Sequence, residues 1–171
     1  MRVKQPSGEI LFRETQYFRQ SWIWVLLICG SLTALIPVTV ISISDKSGKS
    51  AWAVALVSGI QLINLACFYY TRLETIISTD GIYYRWQPWF RKYRFLNQKD
   101  MKKIEILKYP YLQYGYHKRR GFGTVNNISG NKGFRIILTD DKMFYIGSQK
   151  INSVINVLDK NYADVYQYSS N

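Results

Sequence analysis

The sequence predicts a membrane α-helical hairpin carrying an α+β soluble domain, and three observations predict it. Two runs free of charge, residues 20–44 and 50–71, are separated only by Asp45-Lys46-Ser47-Gly48-Lys49. From Arg72 onward the pattern changes to short alternating segments bounded by turn residues such as Asp80-Gly81 and Asp140-Asp141, the pattern of antiparallel strands. Near the C-terminus, Ile151, Val154, Ile155 and Leu158 fall at i, i+3, i+4 and i+7, the apolar stripe of an amphipathic helix.

The hairpin follows from length. A hydrocarbon core of ~30 Å needs ~20 helical residues at ~1.5 Å rise each; both runs exceed this, and the spans are placed at 21–43 and 51–71. Trp22, Trp24, Trp52, Tyr69 and Tyr70 lie near the ends, where amphipathic rings prefer the headgroup region. Arg19 and Arg72 close the outer ends and snorkel into the interface. Two spans put both termini on one side, and the basic flanks (Arg2, Lys4, Arg13 and Arg19 before, Arg72, Arg85, Arg91, Lys92 and Arg94 after, against two lysines in the turn) make that side cytoplasmic. A cleaved signal peptide does not fit: the apolar run is too long, begins some twenty residues in, and is followed by a second. Cys29 and Cys67 fall inside the spans and read as small apolar groups rather than a disulfide.

Within the spans the strongly polar groups are Gln61 and Asn64, with no acid, Lys, Arg or His. Intramembrane charge is the usual mark of an ion path, so the hairpin reads as an anchor. Gly30 and Ala34, and Ala51, Ala55 and Gly59, recur every four residues, a spacing that lets helix backbones approach closely. They are expected to seat the two helices against each other; a dimer face, making the chain a homo-oligomer or a subunit of a small transport complex, is the alternative.

Taken in order, residues 1–20 are polar with scattered Ile10, Phe12, Tyr17 and Phe18 and are expected to lie along the membrane surface. The soluble domain is placed at 72–161, with strands at 73–79, 82–87, 103–109, 134–139 and 143–147. Residues 111–133 read as loop, Ser148 as the N-cap of the final helix, and 162–171 as a frayed polar tail.

Some seven short antiparallel strands closed by a C-terminal helix resembles the pleckstrin-homology-like (PH-like) β-barrel or sandwich. The whole resembles small bacterial membrane proteins that couple such a domain to a two-helix hairpin. The residues that carry the resemblance are Phe12-Arg13-Glu14 with Gln16 and Phe18, the run from Thr79 to Arg85, the run from Ser129 to Gly133, and Ile146-Gly147-Ser148-Gln149-Lys150. The resemblance implies a fold and a place in the bacterial cytoplasmic membrane. In phosphoinositide-binding PH domains the loop between the first two strands supplies a basic cradle; here that connection is the tight Thr79-Asp80-Gly81, which argues against that route.

Charge and motif then bound the function. The C-terminal hundred residues hold 17 Lys/Arg against 8 Asp/Glu, within a net +12 for the chain. His117, the only histidine, lies beside Lys118 and reads as a solvated loop residue rather than a metal ligand. No Gly-x-Ser-x-Gly or P-loop spacing occurs, so no cofactor and no catalysis are expected, with a lipid-interface enzyme as the disfavoured rival. Two basic-aromatic stretches remain as candidates for a membrane surface or ligand: Arg85, Trp89, Arg91, Lys92 and Arg94, and Lys118, Arg119 and Arg120. The expected partners are membrane lipids or a protein; tethering disfavours nucleic acid.

Overall fold

In the computed structural model, which describes residues 2–45, 50–110 and 113–167, the chain forms two compact units: residues 18–70, and residues 1–17 together with 71–171. The turn lysines of the orientation argument (46–49), Tyr111 and the last four residues of the tail lie outside the described residues.

The first unit is the helical pair α1 (Ser21–Ser44) and α2 (Ala51–Tyr70), both long and apolar enough to cross a membrane. Leu26, Ile43, Leu62 and Ile63 each keep more than three-fifths of their surface exposed, an apolar exterior of the kind that marks a membrane or protein contact. Its seam differs from expectation. Ile23 and Ser31 are the buried residues of α1, and Ser31 Oγ lies 2.8 Å from the Leu27 carbonyl and 3.1 Å from Gln61 Oε1. Gln61 thus finds a partner on the facing helix. Gly30, Ala51 and Ala55 are exposed, Ala34 and Gly59 half-buried, and a Cβ added at Gly30 or Gly59 would meet nothing within 4 Å. Ser31 and Gln61 thus mark the polar contact between the two helices, with Gly30 and Gly59 not in close contact with the facing helix.

The second unit is a pair of sheets plus a helix. One sheet holds β1 (Arg2–Val3), β2 (Ile10–Tyr17), β3 (Arg72–Ser78), β4 (Gly81–Gln87) and β5 (Tyr93–Asn97), ordered β1-β5-β4-β3-β2. The other holds β6 (Met101–Lys108), β7 (Gly115–Arg119), β8 (Gly123–Asn127), β9 (Lys132–Leu138), β10 (Met143–Gly147) and β11 (Tyr166–Gln167), ordered β11-β6-β9-β10-β8-β7. Helix α3 (Ile151–Asn161) buries Val154 and Leu158, half-buries Ile151 and Ile155, and so uses the stripe its spacing predicts. The architecture is α+β.

Four expectations are corrected here. Residues 10–17 do not form a surface segment: they are a strand paired with β3 from Ile10↔Ser78 to Tyr17↔Arg72, so the domain does not begin at residue 72. The reading 111–133 as loop hid β7 and β8, because Gly115, Gly121, Gly123 and Gly130 punctuate them with positive φ. Residues 162–167 are tied down: Tyr162 is buried and donates to the Ser78 carbonyl, and β11 pairs in parallel with β6. The N-cap position of α3 falls to Lys150, which makes no side-chain capping bond; Ser148, two residues earlier, donates its hydroxyl to the buried Glu14 carboxylate at 2.6 Å and accepts from the Lys150 N–H at 3.1 Å.

Between the sheets the core is apolar but crossed by polar ties. The Trp86 indole N–H donates to Asn126 Oδ1 at 2.9 Å, both side chains buried. Glu14 accepts from the Ser148 hydroxyl and from the Gln149 backbone N–H at 2.8 Å, and Gln16 Nε2 donates to the Gly147 carbonyl at 2.6 Å. A buried acceptor stripped of its donor loses ~1–3 kcal/mol, so Trp86→Phe is expected to destabilise the domain by about 2–3 kcal/mol once lost packing is added. Urea unfolding followed by circular dichroism measures it, and an unchanged midpoint would show that the bond does not contribute.

The outer faces follow one scheme. Glu74, whose cross-strand neighbour is Arg85, takes Arg13 Nε at 2.9 Å and Arg85 Nε at 2.7 Å beside a cluster of Ile76, Tyr83 and Tyr93. Glu105 takes Lys103 Nζ at 2.6 Å and Arg135 Nε at 3.0 Å beside a cluster of Tyr109, Val125 and Tyr145. Burial alone would raise both carboxyls; hydrogen bonds from their cations outweigh it and hold both below the ordinary 4.5.

Candidate membrane-proximal and anion-binding surfaces

Strand register fixes which end of the sheet meets the hairpin's chain connections. Tyr17 opposes Arg72, and Arg72 opposes Gln87, so the end of β2, the start of β3 and the end of β4 form one row. The chain leaves for α1 just after Tyr17 and returns from α2 at Thr71. The turn after β4, residues 88–92, belongs to the same row. Its Trp89 indole N–H donates to Thr71 Oγ1 at 3.0 Å, fastening the turn to the residue that follows the second helix. Trp89 remains 59% exposed and Phe90 36%, with Arg91 and Lys92 exposed beside them. Large aromatic rings held open next to cations are what an interfacial element needs.

The structure sorts the predicted residues into four settings. Trp89, Arg91 and Lys92 share this tip. Arg85 stands behind them: its guanidinium is bound to Glu74, lies 4.2 Å over the Tyr93 ring and donates to the Arg91 carbonyl at 3.4 Å, a structural cation that neighbouring sequence positions could not reveal. Arg94 lies between the two stretches, over the rings of Phe90 (5.5 Å) and Tyr116 (4.9 Å), and donates to the Tyr116 hydroxyl at 2.9 Å. It ties β5 to β7, and so joins two basic-aromatic stretches that the sequence presents apart.

Lys118, Arg119 and Arg120 form the fourth, at the end of β7, around a groove of about 420 Å³ that Thr124, Lys142 and Phe144 also line. Thr124 and Lys142 carry no signal in the sequence, because only the register Lys118↔Thr124 and Phe144↔Thr124 brings these three strands together. His117 is no solvated loop residue: it is half-buried on β7, with Nε2 2.8 Å from the Tyr109 hydroxyl. Burial, and then the nearby Arg119 charge, hold its imidazole below the ordinary 6.5.

No protein-family model and no curated protein matches the chain. Fold and surfaces therefore define it by class alone: an α+β domain carrying two helices long and apolar enough to span a bilayer. More particularly, the helical hairpin is inserted between two adjacent, directly paired strands of that domain.

Proposed function

We propose that the chain is a non-enzymatic protein of the bacterial cytoplasmic membrane, with both termini cytoplasmic, whose PH-like domain is a binding module held against the lipid surface. The observation that carries this reading is the tip of exposed Trp89, Phe90, Arg91 and Lys92, in the strand-end row that feeds the apolar hairpin. Basic side chains beside an anionic leaflet contribute ~1 kcal/mol each, and the rings add apolar contact. The buried carboxylates support a binding rather than a catalytic role, since Glu14, Glu74 and Glu105 are all engaged in holding elements together.

The test is hydrogen exchange on the full chain in nanodiscs. Residues 87–95 should exchange several-fold more slowly in phosphatidylglycerol-containing discs than in phosphatidylcholine discs, and R91E/K92E should abolish the difference. Equal exchange in both lipids would remove the proposed contact.

A further inference from the structure

The groove at the end of β7 is a separate matter from the tip. Four cations, Lys118, Arg119, Arg120 and Lys142, line it with one hydroxyl, Thr124, and an apolar wall at Phe144. Lys142 is paired with Asp140, and Arg119 donates to Gln113 Oε1 at 2.8 Å. Among the described residues, Lys118 and Arg120 have no carboxylate partner. That contrasts with the outer faces, where each buried carboxylate gathers two cations.

Cations on an edge strand also discourage edge-to-edge pairing, and a lone lysine there would need no other explanation. This turn is built more firmly than that purpose requires. Phe122, next to Arg120 across Gly121, inserts its ring edge-on against Tyr109 (5.1 Å) and Tyr145 (5.6 Å). Arg135 donates to the Gly121 carbonyl from behind. Gly123 has φ +72°, and a Cβ there would lie 2.0 Å from the Met143 carbonyl oxygen, so only glycine lets β8 start this close to β10. The basic segment is thus pinned in position before any ligand arrives, and preorganisation of this kind raises affinity by reducing the ordering cost of binding.

We propose that this groove binds a phosphomonoester. Guanidinium and ammonium donors with a hydroxyl match a tetrahedral dianion, Phe144 offers contact to a small organic substituent, and the volume falls in the range of small-ligand sites. The phosphate could come from a lipid headgroup or from a soluble metabolite; the recognition chemistry is the same.

The test uses the full chain in phosphatidylcholine nanodiscs, titrated calorimetrically with inorganic phosphate and with glycerol 3-phosphate at constant ionic strength. Saturable binding is expected, tighter for glycerol 3-phosphate. K118A/R120A, which alters two exposed side chains, should weaken it about tenfold or more with an unchanged melting midpoint. Discs containing phosphatidic acid separate the sources: reduced affinity for added glycerol 3-phosphate marks the headgroup as occupant, unchanged affinity marks a soluble ligand. The proposal is overturned if neither phosphate binds saturably, if chloride at matched ionic strength gives the same response, or if K118A/R120A binds as tightly as the parent. Saturable binding of RNA or an acidic peptide without either phosphate would overturn it equally.

Discussion

Glu74→Ala should cost the soluble domain about 3 kcal/mol, among the largest losses expected from one side chain outside the apolar core. Removing one partner of a buried ion pair costs ~3–5 kcal/mol. Here the lower end applies, because Arg13 is 56% exposed and screened by water while Arg85 is only 20% exposed. The loss arises mainly at Arg85, left half-buried over the Tyr93 ring without its carboxylate. The same site fixes a pH dependence. Because the Glu74 carboxyl lies below its ordinary 4.5 in the folded chain, its stabilisation is complete above 4.5 and is lost as pH falls through the lower folded value. Glu105 acts in the same direction and window. Thermal melts from pH 6 to pH 3 should therefore show a falling midpoint for the parent, a shallower fall for Glu74→Gln, and a shallower one still for E74Q/E105Q. An acid limb as steep in the double variant as in the parent would refute this account.

What could be read from the sequence followed local period and length. Two uncharged runs long enough for a bilayer, the turn at Asp80-Gly81 and the stripe from Ile151 to Leu158 each report on their own neighbourhood, and each appears where its spacing placed it. What escaped depends on pairing between distant segments. Residues 10–17 alternate too weakly to announce a strand, since Glu14 and Gln16 occupy inward positions and read as polar surface. They are buried because the β10–α3 connection, more than 130 residues away, supplies their partners.

The same contacts give a structural role to the runs at residues 12–18, 79–85, 129–133 and 146–150. Glu14 and Gln16 meet Gly147, Ser148 and Gln149; Gln149 in turn donates to Ser129; Asp80 accepts from the Ser7 and Tyr83 hydroxyls at 2.6 Å each. These runs join the N-terminal strand, the turns and the helix entry to one another. The functional candidates were legible only as composition. Arg85 and Arg91 are indistinguishable in sequence, yet one is committed to Glu74 and the other is exposed on the tip.

The insertion of the hairpin leads to the second large prediction. Tyr17 and Arg72 oppose each other directly, so residues 18–71 replace what would otherwise be a hairpin turn between two antiparallel strands. A two-residue type I′ turn closes such a pair. Joining Tyr17 to Arg72 through Asn-Gly should therefore yield a water-soluble domain that melts cooperatively and gives a dispersed amide spectrum. The fragment 72–171 alone should not fold. Without β2 it exposes the β3 edge and leaves the Gly147 carbonyl, the Ser148 hydroxyl and the Gln149 N–H without the partners that Glu14 and Gln16 supply, at ~1–3 kcal/mol for each group left buried. A set of such losses approaches the ~5–15 kcal/mol that holds a typical domain together. If the fragment instead melts as cooperatively as the spliced chain, β2 is an accessory strand and the hairpin is a leader to an independent domain. If only the spliced chain folds, the two helices are attached at adjacent strand ends of one folded sheet. In that case the row of Tyr17, Arg72 and Gln87, with the Trp89 tip fastened to Thr71, is where any movement of the helices enters the domain.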